Sequence, residues 1–379
     1  MDFDFTEDQE SLRDAVRRWV EKDYTFARRQ TIVRAGGFSR EAWDGLAGLG
    51  LMGLAVPEAH GGMGFGAADA MVVMEELGRG IVMEPFAQAA LIAPAVLQHA
   101  PAEVQADWLP RIAGAEALVV LAYQERASRY RLNQVTTRAA NGLLSGAKSL
   151  VAAGDVADAF IVSARVSGGG TGTDSDAAGI ALYLVERSAA GVSTRAYSQQ
   201  DGSRAAELTL QDTPATLLVG PDQGLAVLEL AVDIGIAALC AEGVGAMEKL
   251  IAITADYMNT RKQFGVAISS FQALRHRMAD VKMQLELTRS MSYFATLKLG
   301  EAPASRRRAL AQAKLQLCNS ARYVGQQCTQ LHGGIGVTDE YISSHYFKRL
   351  TVMEIQFGDA MHQLGEVSER MQDTAGVFA

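Results

Sequence analysis

Apolar residues recur at helical spacing at the two ends of the chain and at strand spacing between them. Near the N-terminus Leu12, Val16, Trp19 and Val20 mark one helical face, and Thr6-Glu7-Asp8-Gln9 has the form of a capping box. A second helix carries Trp43, Leu46 and Leu49. The glycines of GLGLMGLAVPEAHGGMGFG then break the pattern, and AADAMVVMEELGRG resumes it. From about 113 the texture changes to short runs (ALVVLAY, DAFIVSAR, GIALYLVE, AAELTLQ) separated by Gly, Asp, Ser and Asn. No helix-length pattern interrupts them, so an antiparallel sheet is expected. The insert SGGGTGTDSDAAG, Ser167 to Gly179, has the composition of a loop between strands. Four long helical patterns close the chain, near 225–262, 270–299, 305–331 and 339–373, the last broken at Phe357-Gly358. Ser269 or Ser270 is the expected cap of the second and Ser305 of the third. The pattern predicts an α+β fold: an N-terminal helical domain over 1–112, a middle antiparallel β-domain over 113–222 and a C-terminal four-helix bundle over 223–379. No internal repeat is visible.

Length and charge narrow the functional classes. The 379 residues allow two or three cores. A net charge of −8, with no basic run longer than Arg306-Arg307-Arg308, argues against nucleic acid and anionic membrane as partners. That triplet is expected on a solvated helix start. Cys240, Cys318 and Cys328 form no CxxC, which suits reduced, buried cysteines in a cytoplasmic protein. The acidic MDFDFTEDQE start lacks the apolar centre of a signal peptide. The longest apolar stretch, Gly224 to Met247, carries Glu229, Asp233 and Glu242 and is expected inside protein rather than lipid. No group of His, Cys, Asp and Glu has metal-ligand spacing.

The densest chemistry lies in YMNTRKQFGVAISSFQ, where Arg261, Gln263, Phe264, Gly265 and Gln272 crowd one turn at the end of a long helix. A guanidinium offers a planar fork of donors suited to a pyrophosphate, and an aromatic with two amides suits a flat polar heterocycle. The bland alternative is a helix end whose arginine complements the dipole and whose glycine makes the turn. QLHGGIGVTDE, Gln330 to Glu340, adds glycines that let a backbone approach a ligand closely; His332 reads as a spacer in that turn. GGMGFG lacks the preceding strand and following acidic residue of a dinucleotide fingerprint, so a Rossmann domain is not expected.

Together these stretches resemble the acyl-CoA dehydrogenase family, over nearly the whole chain. GLMGLAVPEAHGGMGFG is similar to that family's N-terminal loop, and MEELGR follows at the family's distance. LAYQERASRY occupies the place of its flavin-facing TEP segment: Gln124 stands for the threonine, Glu125 matches, Arg126 replaces the proline, and Ser128-Arg129-Tyr130 replaces the GSD end. NGLLSGAKSLVAAGDVADAFIVSAR resembles the next family stretch, with Lys148, Gly154, Ala157 and Asp158 matching; the usual aromatic and threonine fall on Leu150 and Ala152. The resemblance implies the acyl-CoA dehydrogenase fold, FAD as cofactor, and a tetramer in which one subunit's β-domain and a neighbour's bundle share each flavin. It assigns Tyr123 and Gln124 to the flavin ring, and Arg261, Gln263, Phe264, Gln272, Gln330, Gly333 and Gly334 to the rest of FAD. It further implies an acyl-CoA substrate, a role in lipid catabolism and an electron-transfer flavoprotein as electron acceptor.

The chemistry asks for a carboxylate that takes the α-proton beside the thioester while the β-hydrogen leaves as hydride. Both positions where the family carries it are empty. The YEGT-like turn is IQFGDA, with Phe357 at the glutamate, and the alternative site falls on Gly235, followed by Ile236. Glu242 lies on the same helix face as Gly235, about 10 Å along the axis, in an apolar run where a carboxylate would be desolvated. It is the candidate base; the competing expectation is an ion pair with a bundle arginine such as Arg289, and Glu354 and Asp359 are lesser candidates. Three readings follow: an acyl-CoA dehydrogenase with a displaced base; one subunit of an α2β2 dehydrogenase whose partner supplies the base; or a non-enzymatic scaffold of the same fold. The variant TEP segment and FQALRHRMAD resemble the pimeloyl-CoA and steroid side-chain branch, in which mixed tetramers occur.

Overall fold

The computed structural model describes residues 5–166 and 178–372; most of the expected loop at Ser167 to Gly179 lies outside the described residues. Helices α1 (Glu7–Asp23), α2 (Phe26–Arg34), α3 (Arg40–Gly48), α4 (Ala67–Arg79), α5 (Ala93–Leu97) and α6 (Ala102–Ala113) precede strands β1 (Val119–Ala122), β2 (Arg138–Ala140), β3 (Leu143–Ala152), β4 (Ala159–Val166), β5 (Ile180–Glu186), β6 (Val192–Ser198), β7 (Arg204–Pro214) and β8 (Thr216–Val219). Helices α7 (Gly224–Thr260), α8 (Gln272–Lys298), α9 (Pro303–His332), α10 (Ile342–Ile355) and α11 (Ala360–Gln372) follow. The order is the expected one: helices, sheet, helices. Chain contacts divide into two compact units, one of residues 5–30, 67–82 and 236–372, the other of 31–66 and 83–235.

In the second unit the strands run β6-β7-β3-β2-β4-β5-β8, with β1 also on β4. Most pairings are antiparallel, but β4 lies parallel to both β1 and β2, so the sheet is mixed rather than purely antiparallel. The physical reason is burial: AFIVSARV is buried at all but its last position, the continuous apolar signature of a strand covered on both faces.

In the first unit the capping box at Thr6 forms as read, with Gln9 reciprocating. Two glycines bring α4 and α7 into backbone contact. A Cβ on Gly78 would stand 2.0 Å from the Glu242 carbonyl oxygen, and one on Gly245 would stand 1.7 Å from that of Glu75. Beside this contact Glu76 is held by Arg17 and Arg79, whereas Glu75 is left short. Its Oε1 is buried without a hydrogen-bond partner, and its Oε2 lies 3.9 Å from Arg13 and 4.0 Å from Arg289. Burial pushes the Glu75 carboxyl up to about 7, against the pull of Arg289 and Arg13.

Helix ends depart from the cap expectations. Phe271 is the N-cap of α8, and Ser270 bonds the Ala267 carbonyl instead. Helix α9 starts with Pro303 in its first turn after Ala302, while Ser305 bonds Glu301. The arginine triplet is not a free surface: Arg306 is buried and Arg307 reaches Glu366 of α11 at 3.5 Å. The three cysteines are free and buried. Helix α7 is apolar enough by composition to cross a membrane, yet 72% of its most apolar window is buried in protein, as its three carboxylates led us to expect.

Candidate functional site

A small apolar core builds the corner at Tyr257 to Gln272. Met258 at the end of α7, Ile268 and Leu331 at the end of α9 are buried against one another, with Tyr257, Phe271, Leu274 and Met278 packed around them. This core fixes a two-stranded hairpin, β9 (Lys262–Gln263) with β10 (Val266–Ala267). Its turn residues Phe264 and Gly265 both have positive φ, 53° and 82°, the pair that a two-residue type I′ hairpin turn demands. The Ile268 amide donates to the Arg261 carbonyl at 2.9 Å and closes the loop onto the helix.

The hairpin points polar and aromatic groups outward. Phe264 is 92% exposed, edge-on to Phe271 at 6.2 Å. Arg261, Gln263, Gln272 and Gln330 are exposed, and none makes a side-chain hydrogen bond or ion pair among the described residues. Next to them Gly333 has φ 66°, ψ −141°, a conformation for glycine alone. A Cβ on Gly334 would meet nothing. Seven of the nine sequence-assigned cofactor residues thus belong to one contiguous region of this unit. Among the described residues an unpaired guanidinium, three amides without side-chain partners and an exposed aromatic, drawn from the hairpin and the adjoining ends of α8 and α9, are surplus to folding and fit a dinucleotide. FAD would meet its phosphates at Arg261 and a stacking surface at Phe264.

Under this corner, His332 is buried. Its Nδ1 donates to the Cys328 carbonyl at 2.8 Å, and its ring lies 4.7 Å from Tyr257 and 5.2 Å from Tyr341. Burial lowers its proton affinity below the ordinary histidine value, and Nε2 is buried without a partner.

The remaining two residues, Tyr123 and Gln124, follow β1 in the other unit and are half-buried. Directly after them Glu125 anchors the segment. Its Oε1 accepts from Lys148 Nζ at 2.7 Å and from the Thr137 amide and hydroxyl at 3.0 and 2.8 Å; its Oε2 accepts from the Thr136 amide at 2.8 Å and the Thr136 hydroxyl. Burial opposes ionisation, but the Lys148 charge and these donors outweigh it and hold the carboxyl at about 2. Lys148 is wholly buried and also donates to Ser163 Oγ at 3.1 Å. The two residues were noted in the sequence only as separate motif matches; their pairing had no sequence signal, being 23 positions apart.

The candidate base carboxylates all have partners, and Glu242 has both of its oxygens engaged. Arg349 of α10 grips Glu242 with both arms, Nε to Oε1 and Nη2 to Oε2, each at 2.7 Å, and both side chains are largely buried. This is the ion-pair alternative, with Arg349 in place of Arg289, which sits instead near Glu75, Glu248 and Glu286. Glu354 pairs with Arg322, and Asp359 Oδ1 accepts from the His362 amide at 2.9 Å, capping α11. Phe357, at the family's glutamate position, has φ 55°, and its carbonyl accepts from Gln363 at 2.8 Å.

Comparison with known proteins identifies the family. Residues 6–116 match the description "Acyl-CoA dehydrogenase, N-terminal domain" and residues 222–372 match "Acyl-CoA dehydrogenase, C-terminal domain". The acyl-CoA dehydrogenase IpdE2 of Mycobacterium tuberculosis is 30% identical over 345 residues, 90% of this chain and 91% of that protein. Among solved structures, the Tcur3481-Tcur3483 steroid ACAD variant is 28% identical with a TM-score of 0.88, covering 98% of this chain and 99% of its own. The ChsE4-ChsE5 complex from Mycobacterium tuberculosis is 25% identical with the same TM-score and the same coverage of both chains. With the fold and these matches in agreement, the chain belongs to the acyl-CoA dehydrogenase family, oxidoreductases that bind FAD.

Proposed function

We propose that this chain takes part in the α,β-dehydrogenation of an acyl-CoA thioester as the FAD-completing subunit of a mixed α2β2 tetramer. One observation carries the reading: the bidentate Arg349 grip on Glu242, which commits both oxygens of the leading candidate base to an ion pair. A base must present an open oxygen to the proton it takes. Glu242 spends both on one guanidinium, so its role here is to tie α7 to α10. The partner chain then supplies the base, and electrons pass from the flavin to an electron-transfer flavoprotein.

FAD, when bound, accepts the hydride. This chain's own contribution is to bind and orient. Arg261 neutralises phosphate, Phe264 packs against the adenine end, and Gln263, Gln272, Gln330 and the Gly333-Gly334 backbone hold polar groups of the dinucleotide. Glu125 and Lys148 keep the Tyr123-Gln124 segment fixed for the flavin ring. The paired chains in the ChsE4-ChsE5 complex support a mixed assembly. Three free, buried cysteines suit a reducing compartment, the cytoplasm.

The test is anaerobic. The purified chain, loaded with FAD and offered acyl-CoA thioesters, should keep its flavin absorbance, whereas the tetramer formed with a base-bearing partner should bleach. Rapid bleaching by this chain alone would refute the mixed reading and return Glu242 to the mechanism, which Glu242→Gln would then decide.

A further inference from the structure

The face of the β-sheet at its β6 end carries a cavity of about 590 Å³ that the dehydrogenation reading does not use. Strand register builds it. Arg195 lies opposite Glu207, Ser193 opposite Thr209, and Thr209 opposite Ala147, so all five share one face of β6, β7 and β3. The segment from Glu125 to Ala127 closes one side. Here Arg126 stands where the resembling motif has proline. It is 76% exposed, with Nε 3.6 Å from Glu207.

The charges in this cavity do not cancel. Glu125 is spent on Lys148 at 2.7 Å. Glu207 accepts from Ser149 at 3.0 Å and stands beside Arg126. Arg195 is exposed and has no ion pair among the described residues, although it lies opposite Glu207 in the register. Two guanidiniums thus face a cavity with one carboxylate not already matched by a buried lysine, and one positive charge is left over. The rest of the lining is hydroxyl groups and alanines, with no aromatic ring and no large apolar side chain. Such a wall has nothing for an acyl chain or a stacked base. It suits a small, hydroxylated anion: arginines take the phosphate oxygens, and Glu207 with the serines and threonines takes the hydroxyls.

We propose that this cavity binds a phosphate ester or pyrophosphate group through Arg126 and Arg195. The proposal stands apart from the dehydrogenation reading and needs neither flavin nor a catalytic base. The phosphates could belong to a coenzyme A thioester or to a free phosphorylated solute, and the test separates them. Inorganic pyrophosphate and coenzyme A are each titrated calorimetrically at low salt into the purified full-length protein. The same is done with Arg126→Ala, Arg195→Ala and, as a control on the bundle surface, Lys282→Ala. The parent and Lys282→Ala should bind pyrophosphate alike, and each cavity variant should bind it about tenfold or more weakly. Coenzyme A weakened in step with pyrophosphate identifies the thioester as the source; pyrophosphate alone weakened identifies a free solute; both sustain the site. Absence of pyrophosphate binding to the parent, or equal binding by both cavity variants, overturns it.

Discussion

Glu75 offers the sharpest quantitative test of the packing in the helical unit. The residue is 5% exposed, Oε1 has no hydrogen-bond partner among the described residues, and the nearest cations, Arg13 and Arg289, stop at 3.9 and 4.0 Å. Burial raises it from 4.5 to about 7, with Glu248 and Glu76 adding repulsion and the two arginines only partly offsetting it. The sign follows from linkage. Between those values the folded protein holds a proton that the unfolded chain has released, so stability falls as pH rises from 4.5 and the full cost is present above about 7. At about 1.4 kcal/mol per pH unit that cost is on the order of 3 kcal/mol. Glu75→Gln keeps the shape and removes the charge. Urea unfolding of the parent and the variant, read at pH 5 and pH 8, should show the variant gaining on the parent by about 2–3 kcal/mol at the higher pH. The two should differ little at pH 5. Parallel pH profiles for parent and variant would refute the argument, since only a carboxyl ionising within the folded state can separate them.

Glu125→Gln should cost about 3–5 kcal/mol, because it strands the Lys148 charge in a buried site; urea midpoints check this, and a loss below about 1 kcal/mol contradicts it. The Glu125 contribution is present above pH 4.5 and lost as pH falls toward about 2, so acid unfolding of the parent should include a step that Glu125→Gln lacks. Arg349→Ala should destabilise by about 3–5 kcal/mol, while Arg349→Met with Glu242→Met should cost clearly less than the sum of the single changes; additive losses would mean the two are not a pair. Gly245→Ala should cost about 1–3 kcal/mol by forcing α7 from α4, and hydrogen exchange should show both helices loosening together.

Periodicity carried the fold because helices and strands leave a local trace. The four C-terminal helical patterns and the break at Phe357-Gly358 were legible since each depends on residues within a turn or two. Caps were less so: Ser270 and Ser305 are good cap residues by type, yet the chain enters α8 through an apolar Phe271 and α9 through Pro303, where packing and a fixed φ outweigh a side-chain bond. The parallel register of β4 also had no local trace, because strand direction depends on which neighbours cover it. The exposed corner at Tyr257 to Gln272 could be located as one cluster because most of its residues fall within one short segment. Glu242 shows the limit. Its helix face and apolar setting could be read from the sequence, but whether a buried carboxylate is a base or half of an ion pair depends on what lies across from it. Arg349 is 107 positions away, and nothing between them marks the meeting. The same logic separates Arg261 from Arg349. Arg261 has no ion pair among the described residues and stands beside an exposed aromatic, so its charge is open to a ligand. Arg349 is engaged by Glu242, and its charge serves to hold α10 on α7.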